Sequence, residues 1–502
     1  MKRLYQIVTN LSWGLLVFLL PITSFPLLAK AAGGTDVAPI SVVFLFILVV
    51  IWFLPGILKG SGIPLQSVPL LIFFLIALIS SLLAFFYPIP SFKNEPIWKN
   101  ELPNIITLGI GVCFYLVTSL WISDEGKLKT FFRIVNICGA IVLVYTLLQA
   151  LFVIVLPQVP SAFYQLQLFI SSSDTLFANR VNGMAFEPSW LAHQLNMFYI
   201  PIWLGLTVKK ISFHKFRLFR ISLENLLLAV SLIILFLSYS RIGWLAFLVY
   251  FGYLFLRLMD SLRRKLAQRV MKPGSDSMTF KSFLFNTGFW FFLLIFLLAI
   301  LILVGWIFAK VDRRMQQFLN LQVILDLGLL GWASKLEFAE RIVYWIAGFR
   351  VFLQYPVFGV GLGNSGFFIP QNLSSFGYSL PEVLRIFLSN TFLPNPKNLW
   401  VRILAETGIV GFSVFISWLW MGWKTARTNE RSSSSLAQAM GITGQVIIVG
   451  LVVEGFSLDT FALPYYWMTM GLVVAIYRIF RLSSGRPGQS TVPAETQSKI
   501  QT

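Results

Sequence analysis

Apolar residues gather in twelve runs, near 11–29, 38–58, 66–87, 102–122, 130–156, 188–208, 222–238, 242–258, 284–309, 398–423, 437–456 and 460–480. About 20 apolar residues in a helix match the thickness of the hydrocarbon core. The pattern predicts an all-α integral membrane protein with about 12 transmembrane helices. Residues 1–309 hold spans 1–9 and 397–482 hold spans 10–12. A large polar segment, 310–396, lies between them, and 483–502 reads as a disordered cytoplasmic tail. Lys2 and Arg3 precede the first run, and Ala29-Lys30-Ala31 is a weak cleavage site. The run exceeds a signal-peptide core and eleven spans follow, so it reads as a retained helix. Within the large segment Phe338, Ile342, Trp345, Ile346, Phe349, Phe352 and Leu353 recur at helical spacing and predict an amphipathic helix over 336–354.

Composition agrees. The 502 residues are 57% hydrophobic and only 12% charged, against about 25% charged in soluble proteins. That excludes a soluble enzyme, a disordered chain and a disulfide scaffold. Cys113 and Cys138 fall within apolar runs and read as small buried hydrophobes. Two His and two Cys are too few for a zinc-type cluster. There is no internal repeat at 20–50 residues.

The net charge of +19 bears on orientation. With the N-terminus in the cytoplasm, the inner connections carry 25 Lys and Arg against 7 acids, and the outer ones 14 against 13. The inner side is then +18 and the outer +1, as the positive-inside rule requires. Both termini are expected to be cytoplasmic and 310–396 external. The basic clusters at 209–220 and 263–269 answer to lipid and topology, so no nucleic-acid partner is expected.

Ionisable residues at membrane depth are costly and mark candidate sites. Arg241 follows the short Ser238-Tyr239-Ser240 hairpin between spans seven and eight. It is a snorkelling arginine or the cation of a small polar pocket. Arg180 and Glu187 approach span six from outside, with Pro188 in its first turn. Glu187 is an ordinary acidic helix start or a catalytic carboxylate. Arg180 pairs with it or binds an anion. His193, within two turns, reads as a packed interface residue. Arg341 and Arg350, nine apart, point to opposite sides of the 336–354 helix, so both cannot grip one phosphate. The Gly359–Asn364 run reads as a tight turn. Asn398, Arg402 and Glu406, at i, i+4 and i+8, share one face of span ten. Arg402 and Glu406 either neutralise each other or serve chemistry. Glu454 and Asp459 flank the last outer turn as supporting groups. Every candidate lies on the outer side, and several arginines there suit a phosphate-bearing lipid.

Four segments together resemble the bacterial O-antigen polymerase/O-antigen ligase superfamily of membrane glycosyltransferases. They are Arg180-Val181-Asn182-Gly183 with Glu187-Pro188-Ser189, Ser240-Arg241-Ile242-Gly243, Arg341 to Trp345 with Tyr355 to Asn364, and Lys397-Asn398 through Glu406-Thr407-Gly408 to Gly411. The resemblance covers about 170–480. It implies a multispan glycosyltransferase fold of type C-like design with a lid-like outer loop, in the bacterial plasma membrane. It implies an undecaprenyl-diphosphate-linked glycan donor and a glycan acceptor, with flippase and chain-length regulator proteins as further candidate partners. No cofactor and no metal are implied. Carried onto this chain, it gives Arg180, Arg241, Arg341 and Asn398 substrate-binding roles and Glu187, Lys397 and Glu406 catalytic ones. Glu187 is the first candidate for the acceptor's proton and Glu406 the second. Single displacement would invert the anomeric centre. Ligases of the superfamily carry His-Asn where this chain has Lys397-Asn398. A protonated lysine steadies a diphosphate but takes no proton. Polymerisation of repeat units for O-antigen, capsule or exopolysaccharide is thus favoured. Transfer to lipid A-core or another acceptor, and a lipid-linked glycan flippase or transporter, remain the alternatives.

Overall fold

The computed structural model describes residues 2–484, apart from 32, 34–36, 157, 174, 271–277, 312–315, 317–320, 337 and 389–392. Residues 485–502, most of the expected tail, lie outside the described residues. The protein is an all-α integral membrane protein. Its described strands are the two-residue antiparallel pair Arg217–Leu218 and Ile221–Ser222.

Helices α1 (Lys2–Phe18), α2 (Ser41–Leu58), α3 (Leu65–Ala84), α4 (Ile97–Trp121) and α5 (Glu125–Val155) come first. Helix α6 runs over 188–208 with a π-turn at Leu195–Tyr199, followed by α7 (Leu223–Leu237), α8 (Arg241–Val270) and α9 (Met278–Val311). The large polar segment contains α10 (Leu321–Lys335), α11 (Ala339–Gln354), α12 (Ser365–Asn372) and α13 (Pro381–Leu388). Helices α14 (Leu399–Glu430), α15 (Ser435–Glu454) and α16 (Tyr465–Ser484) close the chain. Among the described residues seven helices are long and apolar enough to cross a membrane: α2 to α5, α14, α15 and the 241–267 part of α8. Helix α7 and the apolar stretch Phe285–Ile300 are shorter.

The first run differs from its expected 11–29. Its helix starts at Lys2 and stops at Phe18, ahead of Pro21, and Pro26–Ala31 forms a separate short helix. Proline removes a donor and clashes with the preceding turn, so an apolar run containing two prolines breaks. The amphipathic helix of the large polar segment starts at Ala339, three residues after the predicted 336.

Helices α6, α14, α15 and α16 pack on one another at the centre. Trp203, Trp418, Trp467, Tyr199, Tyr465 and Tyr466 are fully enclosed there. The outward faces of α2, α3 and α5 expose Phe46, Leu58, Leu75, Leu82 and Val144, which suits a lipid solvent.

Helix α14 is broken inside. Gly408 adopts φ 64°, ψ −169°, a conformation open essentially to glycine. The carbonyls of Ala405 and Glu406 accept hydrogen bonds from the N–H groups of Val360 and Gly361, both at 3.0 Å. The N–H groups of Ile409 and Val410 donate to the carbonyls of Pro356 and Val357 at 2.8 and 3.3 Å. Ser80 on α3 also donates to the Glu406 carbonyl, at 2.6 Å. The glycine run, expected as an isolated tight turn, is therefore a clasp lying along the break. A Cβ on Gly359 would stand 2.5 Å from the Glu406 carbonyl carbon, and one on Gly408 2.2 Å from the Val357 oxygen.

Gly408→Ala should cost about 1–3 kcal/mol from backbone strain alone, with the clash added. Gly252→Ala, in open space inside α8, should be neutral or stabilising. Thermal midpoints of the two purified variants in detergent check this. A Gly408→Ala midpoint equal to the parent's would contradict the clasp.

Candidate functional site

A cavity of about 740 Å³ opens at one end of the helix bundle, within the range of small-molecule sites. Its wall draws on all six connections that the charge pattern puts on the outer side. These contribute Gly33 and Val37, then Pro103 and Asn104, then the 186–193 segment. Ile242 follows, then Arg341, Asn395 and Lys397, and last the 457–460 turn. Alternate crossing brings every second connection to one face, and the cavity lies where they meet.

Among the described residues, three cations line it. Arg341 sits in the first turn of α11, and its Nη1 donates to the Ser457 carbonyl at 3.3 Å. Lys397 has φ +52°, unusual for a long side chain. Its backbone is held by the Asn395 side chain, which accepts its N–H at 2.9 Å, and by the Trp345 indole, which donates to its carbonyl at 3.3 Å. Its ammonium pairs with Glu382 of α13 and lies 5.2 Å from the Tyr344 ring centre. Burial, and then the neighbouring Arg341, push the Lys397 ammonium below the usual lysine range, against the pull of Asp459, Glu340 and Glu187. Arg402 is 6% exposed. Its Nε spans both Glu406 oxygens at 3.1–3.2 Å, and its terminal nitrogens reach the Asp459 carbonyl and Asn104.

Glu187, Asp459 and Glu454 line the same wall. Glu187 is half-buried at the N-cap of α6, where Pro188 starts the helix and Ser189 Oγ donates to Oε1. Burial raises its pKa above the usual carboxylate range. The Ser189 bond opposes this, Asp459 adds to it, and Arg180 and Arg341 oppose it. Three cations beside three carboxylates suit a reaction that must hold an anion and move a proton at once.

The other expected site residues stand apart from the wall. Arg180 is close enough for Glu187 to feel its charge, and it stacks 5.5 Å from the Phe177 ring centre. Arg241 donates from Nη1 to the Leu336 carbonyl at 2.5 Å, which ties the start of α8 to the outer segment. Asn398 caps α14, its Oδ1 accepting from Trp400 and Val401 N–H at 2.9 and 3.1 Å. Glu406 is 1% exposed and closed in by Arg402 and Ser365. Arg350 donates to the Asn372 carbonyl at 2.9 Å, away from Arg341.

One group was read differently from the sequence. His193 does pack at a helix interface, but its Nδ1 bonds Glu454 and its ring lines the cavity. Asn196 Nδ2 donates to Glu454 at 2.8 Å and to the Gly243 carbonyl at 2.9 Å. The α6–α8 approach that permits this needs Gly243, whose Cβ would stand 2.6 Å from that of Ala192. A signal did exist: histidine and asparagine at i and i+3 in an apolar run, opposite a glutamate at a span end.

Residues 226–416 match the family model described as O-Antigen ligase. The match supports the O-antigen polymerase/ligase superfamily and includes Arg241, Arg341, Lys397, Asn398 and Glu406, while Arg180, Glu187 and His193 lie before it. No curated protein matches the chain.

Breaking the buried Arg402–Glu406 pair from one side leaves an uncompensated charge. Arg402→Met or Glu406→Leu alone should cost about 3–5 kcal/mol, and the double variant clearly less than their sum. Additive losses of thermal stability in detergent would contradict the pairing.

Proposed function

We propose that this protein polymerises undecaprenyl-diphosphate-linked oligosaccharide repeat units at the outer face of the bacterial plasma membrane. The observation that carries the reading is the convergence, in one cavity, of Arg341 and Lys397 from the outer segment with proton-accepting groups of the bundle. The segment 226–416 resembles enzymes of glycosyl transfer. The charge pattern, +18 on one side against +1 on the other, favours the outer face for that cavity.

In this reading Arg341 forks onto diphosphate oxygens, and Lys397 adds a compact charge. Both stabilise the negative charge that grows on the leaving group as the sugar–phosphate bond breaks. Arg402, engaged by Glu406, Asp459 and Asn104, keeps the floor of the site in place. Arg241 holds the outer segment through Leu336. Two wall groups are able to take the acceptor's proton, Glu187 and His193. Lysine at position 397, rather than histidine, favours polymerisation over ligation to a separate acceptor.

Deleting the gene should leave single repeat units on the carrier. Long chains persisting on the carrier would instead mean ligation, and glycan trapped on the cytoplasmic leaflet would mean transport. A charge-assisted hydrogen bond is worth about 1.5–3 kcal/mol, so Arg341→Lys should lose roughly tenfold or more in rate while still inserting. With its pKa lowered, Lys397 loses its proton earlier than an ordinary lysine as pH rises. The rate should fall on that alkaline limb, and Lys397→Arg, always charged, should remove the limb and keep partial activity. An unchanged limb in Lys397→Arg would refute the cationic role.

A further inference from the structure

We infer that His193 is the general base of the site, and that Glu454 and Asn196 are positioning residues that fix its tautomer. This rests on the glycosyl-transfer reading above.

The direction of each hydrogen bond in the cluster is set by a group that has no choice. The Gly243 carbonyl only accepts, so the Asn196 amide nitrogen must face it. That turns Asn196 Oδ1 toward the Tyr250 hydroxyl, which donates to it at 3.1 Å. The same amide nitrogen donates to Glu454 Oε1 at 2.8 Å. As a carboxylate, Glu454 offers Oε2 to His193 Nδ1, which then carries the hydrogen. The proton of a neutral imidazole is thereby placed on Nδ1, and the lone pair is left on Nε2. Tyr465 and Tyr466 meet the ring edge-on, with centres 5.9 and 6.2 Å away, and hold its plane.

Nε2 is buried and has no hydrogen-bond partner, although His193 lines the cavity. Tyr250, Asn196 and Glu454 are buried too. A chain of satisfied polar groups ends in one unpartnered ring nitrogen, on a histidine that lines the cavity, and a donor from the cavity would complete it. A sugar hydroxyl is such a donor. Glu187 is a weaker choice on geometry: its carboxylate already accepts from Ser189 Oγ, whereas His193 Nε2 has no partner.

The step balances. The acceptor oxygen bonds to the donor's anomeric carbon as its proton passes to His193 Nε2. The bond from that carbon to the phosphate oxygen breaks, and its electron pair leaves on the diphosphate. The imidazolium, steadied by Glu454, returns its proton to water or to the departing diphosphate.

The test uses the full chain in lipid nanodiscs and, as donor and acceptor, carrier-linked repeat units extracted from cells lacking this protein. His193→Asn keeps a donor for Glu454 and removes Nε2. It should lower kcat on the order of 10²-fold or more and leave KM within about threefold. Imidazole should restore part of the rate to His193→Ala. Glu454→Gln should lower kcat without moving KM, and Glu454→Asp should recover part of it. If His193→Asn keeps more than a tenth of parental kcat, or if Glu187→Gln shows the kcat loss in its place, the assignment falls. Should the His193 variants fail to fold, Glu454→Gln decides, and an unchanged kcat overturns the proposal. A parent protein that leaves the carrier-linked units untouched sinks the polymerase reading itself, an outcome distinct from active variants of an active parent.

Discussion

A helix surrounded by lipid cannot leave a backbone carbonyl or amide without a partner, and the break at Gly408 creates several at once. The Tyr355–Gly363 segment supplies what the helix has lost: two N–H groups on one side of the break and two carbonyls on the other. Because the donors lie in the outer segment, that segment is part of the membrane core's hydrogen bonding. The position of α11, and with it Arg341, follows from this clasp. So does the start of α14, where Asn398 and the twisted Lys397 backbone are set between Asn395 and Trp345.

The site then inherits two kinds of support. Arg341 comes from the clasped segment and Lys397 from its junction with α14, and each is steered by a local partner, Ser457 for Arg341 and Glu382 for Lys397. Its histidine comes from the bundle, where the π-turn of α6 and the close approach of Gly243 place Asn196 between α8 and α15. A motion of the outer segment would shift the first set against the second. The paired Arg402 and Glu406, linked to Asn104 of α4 and to Asp459, form the joint between the two.

Much of this was legible in the residues. The apolar runs gave the helices. Charge at a span end pointed to Glu187, helical spacing in the large segment to Arg341 and the family resemblance to Lys397, and the three share a cavity. Arg402 and Glu406 pair as their spacing allowed. The resemblance gives Asn398 a place at the substrate, and backbone geometry adds what residue type leaves open, that its side chain caps α14. His193 was read as packing alone because its partner is 261 residues away, and periodicity along one helix carries no information about the next. The break in α14 was hidden for a similar reason. A glycine in an apolar run costs little in hydropathy, and the segment that makes the break tolerable lies some fifty residues earlier. Proline is the more readable signal: Pro21 and Pro26 fall inside the run at 11–29 and divide it.

The clasp also sets the size of the piece that can be exchanged. An outer segment exchanged without the Tyr355–Gly363 stretch would leave the carbonyls of Ala405 and Glu406 and the N–H groups of Ile409 and Val410 to find other partners. Recombination that succeeds must carry the stretch from α11 through Gly411 as one block. The boundary of that block lies inside a transmembrane helix, where a topology diagram would not put it.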